Sequence, residues 1–168
     1  RSSSSAASDV YKRQTFTYWK DTDHKKKIQE NFFGKNSFTI SLKDISCDIY
    51  IDVHHISPEG LIEFTSHTPW GRVNANVLLY AEYNLINLFL SLPYLINCGL
   101  KLCDFQKALE NLKVPLGRLN KFMMKDKTIY VDYAHTPDGL DKLLYSIMML
   151  EKKKINIVFG CGGERDIE

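Results

Sequence analysis

The sequence predicts an α/β protein, and three stretches carry that prediction. Residues 36–67 have a strand pattern, with CDIYIDV (47–53) and LIEFTSH (61–67) separated by the turn sequence SPEG. From Leu85 the period becomes helical, with Leu85, Leu88, Phe89, Leu92, Leu95 and Ile96 on one stripe. Further on, TIYVDY (128–133), an amphipathic segment and the apolar run INIVFG (155–160) read as strand, helix and buried strand. That order is a βαβ unit and implies a parallel sheet.

Taken in order, residues 1–14, RSSSSAASDVYKRQ, show no apolar period and read as a cloning or read-assembly scar, with a native disordered tail as the competing reading. TPWGR (68–72) breaks the β pattern, and NVLLY (76–80) predicts another short strand. The helix that follows has apolar residues on most sides, should kink at Pro93, and should end near Asn97-Cys98-Gly99. A second helix is expected over about 102–113, carried by Leu102, Phe105, Leu109 and Leu112. VPLGRLN (114–120) reads as a linker. After the strand at 128–133, Thr136 is the expected N-cap, Pro137 occupies N1 and Asp138 complements the helix dipole. Leu140, Leu143, Leu144, Ile147 and Met148 form that helix's apolar stripe.

The composition is that of an ordinary globular chain: 168 residues, 44% apolar and 25% charged, with a net charge of +2. So even a balance predicts no nucleic-acid partner and no membrane surface. The most apolar run, 85–100, is shorter than a membrane-spanning helix and contains Asn87, Pro93 and Asn97. Cys47, Cys98, Cys103 and Cys161 form no CxxC pair and read as buried free thiols of a cytoplasmic protein. His54 and His55 are neighbours in a strand, where side chains point to opposite faces, so a shared metal is not expected. The missing initiator Met and the break after INIVFGCGGERDIE predict a fragment cut at both ends.

Two loops draw attention. VDYAHTPD (131–138) and GCGGERD (160–166) each follow a predicted parallel strand at its carboxyl end, where open α/β sheets bind ligands.

At these residues the chain resembles the Mur ligases, and within them the member that adds the third residue of the peptidoglycan precursor peptide. VDYAHTPDGLDKLL and IVFGCGGERD carry the resemblance most specifically. SPEG, FTSHTPWG, YNLIN (83–87), similar to an (F/H)NxxN motif, and GRLNKF (117–122) extend it over roughly residues 36–168. The resemblance implies that residues 15–115 are the end of a central ATPase domain built of β hairpins and helices. Residues 116–168 would then begin a Rossmann-like C-terminal domain with its first βαβ unit. It implies an ATP-dependent ligase, working with Mg²⁺, that joins a diamino acid, meso-diaminopimelate or L-Lys, to UDP-MurNAc-L-Ala-D-Glu. The full-length enzyme would be monomeric and cytoplasmic.

Residue by residue, the resemblance places Asn87 on adenine, Arg118 on the nucleotide and Asp132 on the ribose hydroxyls. It places Arg165 on the carboxylate of the incoming diamino acid, a task suited to a bidentate guanidinium. Asn84, His135, Gly162 and Gly163 are expected to line the cleft, Asn84 with the more structural role. Competing readings remain for each: Asn87 as a helix polar group bonding a loop, Arg118 as a surface linker residue, Asp132 as an acceptor for loop N–H groups, and Arg165 as a partner of Glu164 or Asp166. The chain departs from the pattern at Tyr80-Ala81-Glu82, where Gly is usual, and at Asn120, where an acidic residue is common. No GTNGKT-type phosphate loop and no Mg²⁺ ligand set is present, so the segment alone is expected to be inactive. The alternatives are another enzyme of the superfamily, such as the ligase for the next peptide step or folylpolyglutamate synthase, and a non-catalytic nucleotide-binding remnant.

Overall fold

A computed structural model describes residues 16–21 and 37–160. Five strands form one mixed sheet in the order β1-β2-β3-β4-β5: β1 (Phe16–Trp19), β2 (Ser37–Ser41), β3 (Ile49–Ile56), β4 (Leu61–Thr68) and β5 (Gly71–Leu78). β1, β2 and β3 run parallel, and β3, β4 and β5 run antiparallel. Helices α1 (Glu82–Asn97) and α2 (Leu102–Leu109) follow. A separate two-stranded ribbon, β6 (Asn120–Met124) and β7 (Lys127–Val131), leads into α3 (Pro137–Leu150).

The sheet forms because its strands alternate. Ile62, Phe64 and Ser66 of β4 point inward while Leu61, Glu63 and His67 point out. The inward set, with Ile49, Ile51, Val73 and Val77, is covered by Leu85, Phe89 and Leu92 of α1 and by Phe105 and Leu109 of α2. Phe89 lies at the centre, edge-on to Phe64 and to Phe105, with ring centroids 5.6 Å away in both cases. A second, smaller cluster buries only Ala81, Leu119 and Ile147, with Tyr80, Tyr83, Tyr130, Leu143 and Ile155 packed around them.

Several expectations change in detail. β5 begins at Gly71, because Pro69-Trp70 makes a tight two-residue turn closed by the Thr68–Gly71 pair. The Thr68 hydroxyl donates to the Gly71 carbonyl at 2.8 Å and accepts from the Trp70 N–H. α1 starts three residues before the apolar stripe and runs through Pro93, and α2 stops at Leu109 rather than 113. His54 and His55 are both exposed, because a register shift between Val53 and His55 interrupts the alternation. Of the three described cysteines only Cys47 is buried, while Cys98 and Cys103 are exposed. No helix among the described residues is long and apolar enough to cross a membrane.

The α/β class holds, and so does the strand-to-helix half of the expected βαβ unit: β7 leads to α3, Thr136 accepts from the Gly139 N–H as its N-cap, and Pro137 sits at the helix start. The second strand is different. Residues 155–160 pair with no other strand among the described residues, and Ile157, Val158 and Phe159 are exposed. A strand apolar on both faces needs cover on both and a hydrogen-bonded neighbour, and here it has neither. β7 instead pairs antiparallel with β6, whose two-residue turn puts Lys125 at φ +57.

Candidate functional site

The loop after β7 is organised by one carboxylate. Asp132 Oδ1 accepts from the Ala134 N–H at 2.8 Å, and Oδ2 accepts from the Leu119 N–H at 2.7 Å. The Tyr83 hydroxyl donates to the same Oδ2 at 3.3 Å. One side chain thus ties the loop to the segment before β6 and to the first turn of α1. That segment is tightly wound. Gly117 is at φ +76 and Leu119 at φ +53, and the Asn120 side-chain oxygen accepts from the Gly117 N–H at 2.5 Å. Leu119 is fully buried, so apolar packing and the Asp132 bond together hold a conformation that a leucine rarely takes.

The entry to α1 is wound in a similar way. Tyr80, in the Tyr80-Ala81-Glu82 stretch where the resemblance expected a glycine, is at φ +62, and its N–H and that of Leu79 donate to the Gly60 carbonyl. Asn84 is buried and donates its side-chain N–H to the Leu79 carbonyl at 3.0 Å, fixing that turn. Asn87 is exposed, one helical turn beyond Tyr83 on the same stripe. Arg118 is exposed beside the bound Leu119 amide, and its charge acts on Tyr83 against that of Asp132. Burial first, then the Asp132 carboxylate, pushes the Tyr83 phenol well above its ordinary value. His135 is exposed, with Nδ1 2.9 Å from the Tyr133 carbonyl and its ring against that of Tyr133. Gly162, Gly163 and Arg165 lie outside the described residues.

Beside Tyr83 a cleft of about 330 Å³ opens between the sheet and α3, lined also by Trp19, Glu82, Asp141, Lys142 and Tyr145. The Lys142 ammonium sits 5.0 Å over the Trp19 ring and pairs with Asp138 at 2.8 Å. Tyr83 belongs to both the cleft and the Asp132 knot. Asn87, Arg118 and Asp132 do not line the cleft. The chemistry on offer is an exposed guanidinium, an exposed amide and a carboxylate with acceptor capacity left on Oδ1. That set suits the sugar and base of a nucleotide. No group of three His, Cys, Asp or Glu among the described residues is placed to hold a metal ion.

Sheet, helices and loop together define a class. MurF from Acinetobacter baumannii superposes with a TM-score of 0.69 at 19% identity, covering 86% of this chain and 32% of that one. Folylpolyglutamate synthase from Thermotoga maritima gives 0.58 at 20% identity, covering 80% and 32%. A solved UDP-N-acetylmuramoyl-L-alanyl-D-glutamate–2,6-diaminopimelate ligase gives 0.57 at 28% identity, covering 89% and 31%. Residues 117–168 match the family described as Mur ligase, glutamate ligase domain. The chain belongs to the Mur ligase family. Among curated relatives, the ligases named for 2,6-diaminopimelate from Prochlorococcus marinus and Pseudomonas aeruginosa are 38% identical over 145 residues and 33% identical over 147. These alignments cover 79% and 87% of this chain, which spans only 28% and 30% of the relatives.

Two participants were missed in the sequence. The Leu119 amide carries no side-chain signal. Tyr83 did carry one: a hydroxyl-bearing ring at a motif position expected to be Phe or His.

Proposed function

We propose that this chain is part of an ATP-dependent, amide-forming ligase of the MurE type. It would add a diamino acid to UDP-MurNAc-L-Ala-D-Glu, with meso-diaminopimelate favoured over L-Lys. The observation that carries the reading is the 38% identity over 145 residues to a ligase named for diaminopimelate. The names of the other curated relatives support the same acceptor. ATP supplies a phosphoryl group that turns the D-Glu carboxylate into an acyl donor, from which the amine displaces phosphate.

In this reading residues 15–115 close the central domain and residues 116–168 open the C-terminal one. Asn87 and Arg118 contact the nucleotide, Asp132 accepts from its ribose, and Arg165 holds the carboxylate of the diamino acid. Asn84, His135, Gly162 and Gly163 shape the surrounding loops. Mg²⁺ would be held by residues outside those described here. The full-length enzyme acts as a cytoplasmic monomer.

The test is an assay of the full-length protein with ATP, UDP-MurNAc-L-Ala-D-Glu and either meso-diaminopimelate or L-Lys, following ADP release and amide product. Product with meso-diaminopimelate is expected, and Arg165→Ala should raise the KM for the diamino acid far more than that for ATP. Product with L-Lys alone overturns the acceptor, equal KM effects overturn the Arg165 role, and no product with either amine overturns the ligase reading.

A further inference from the structure

Tyr83 has no role in the reading above, yet among the described residues its hydroxyl is the one side-chain donor to Asp132. A carboxylate offers about four acceptor directions. Among the described residues three are taken: Ala134 N–H on Oδ1, and Leu119 N–H with the Tyr83 hydroxyl on Oδ2. Oδ2 is therefore filled, and Oδ1 keeps one lone pair. The sequence led us to expect a carboxylate that accepts from both ribose hydroxyls, but this arrangement has room for one.

The three donors differ in kind. Leu119 and Ala134 donate from backbone within 13 and 2 residues of Asp132, whereas Tyr83 reaches across 49 residues from another element. Its ring is packed against the buried Ala81, Leu119 and Ile147 cluster, so its hydroxyl is fixed by packing. Burial and the adjacent carboxylate keep the phenol protonated, and it remains a donor.

We propose that Tyr83 is the positioning residue for Asp132: by donating to Oδ2 from α1, it turns the carboxylate so that Oδ1 accepts from a single hydroxyl of a bound ribose. This deepens the ligase reading and rests on its assignment of Asp132 to the nucleotide.

The experiment compares the affinity of the full-length protein for ATP, 2′-deoxy-ATP and 3′-deoxy-ATP, in the wild type and in Tyr83→Phe. In the wild type one deoxy analogue should bind more weakly and the other like ATP. Tyr83→Phe should weaken ATP binding roughly ten- to a hundred-fold, the worth of one hydrogen bond to a charged acceptor, and leave the disfavoured analogue unchanged. The penalty for the missing hydroxyl then shrinks in the variant, which a merely structural role for Tyr83 would not produce. Adding Tyr83→Phe to Asp132→Ala should change nothing further.

An equal loss for all three nucleotides in Tyr83→Phe, or no loss for any, overturns the positioning role and leaves the ribose assignment standing. Equal penalties for both deoxy analogues in the wild type overturn the single-acceptor geometry. A wild type that binds all three alike overturns the ribose assignment itself, and the proposal with it.

Discussion

The two halves of the molecule are held in different ways. The sheet with α1 and α2 encloses Ile49, Ile51, Ile62, Phe64, Leu85 and Phe89 at 0–1% exposure. The half built from β6, β7 and α3 buries Leu119 and Ile147 against Ala81 at the α1 N-cap and leaves Phe122, Met123, Met124 and Met148 exposed. What it lacks in apolar burial is met by directional bonds: Asp132 to Tyr83 and Leu119, Tyr130 to Glu151 at 2.9 Å, and Lys121 to the Pro58 carbonyl at 3.2 Å. Apolar burial is indifferent to precise angle, whereas hydrogen bonds fix orientation. The proposed nucleotide contacts sit where the second kind of bonding meets the first.

Three perturbations sharpen this contrast. The largest effect is expected from Phe89→Ala, which removes the ring shared by Phe64 and Phe105 and should cost about 3–5 kcal/mol in chemical unfolding. Because the second half leans on the first, its β6–β7 signals should be lost in the same transition. A separate, unchanged transition for the second half would break the comparison.

A smaller effect is expected at the seam. Gly60 takes φ +88 and lies under the Tyr80 ring, and an added Cβ would come within 2.0 Å of that ring. Gly60→Ala must therefore move Tyr80 and should cost about 1–3 kcal/mol. Measured by thermal unfolding with amide exchange, the loss should be concentrated at Tyr80, Tyr83 and Leu119 rather than in β3–β5.

The smallest effect should come from pH. The hydrogen bond from Tyr130, followed by the charge of Lys121, holds the Glu151 carboxyl below its ordinary 4.5. A carboxyl depressed in the folded state adds stability above its unfolded pKa, and that stability is lost as pH falls through the folded value. The second half should thus weaken slightly as the pH falls below about 4.5. In Tyr130→Phe this acid limb should flatten, while the acid response of the five-stranded sheet should stay as it was.

What could be read in the sequence follows the same division. The strands around Ile51 and Phe64 and the stripe from Leu85 to Ile96 repeat at fixed periods, and periodicity is visible in one dimension. β1 escaped because four residues pairing in parallel with a distant strand leave no local trace. The cap at Thr136 was legible because all its parts lie within four residues. The Asp132 knot was only half legible, since its donors come from Tyr83 and Leu119, brought in by tertiary packing. The run at 155–160 was misjudged because β-branched composition says what a strand would bury, not whether a neighbour is there to pair with it.

The β6–β7 ribbon also bears on the order of assembly. Its ladder from Met124–Lys127 to Asn120–Val131 closes through two residues, so nothing outside it is needed to begin. Hairpins of this kind zip in about 1–10 μs. The Tyr83–Asp132 bond must close a loop of 49 residues, and a contact so distant along the chain carries a larger closure entropy. The ribbon should therefore exist as a local unit before the bond that orients Asp132 is made, and the nucleotide-facing geometry should be the last feature of this region to mature.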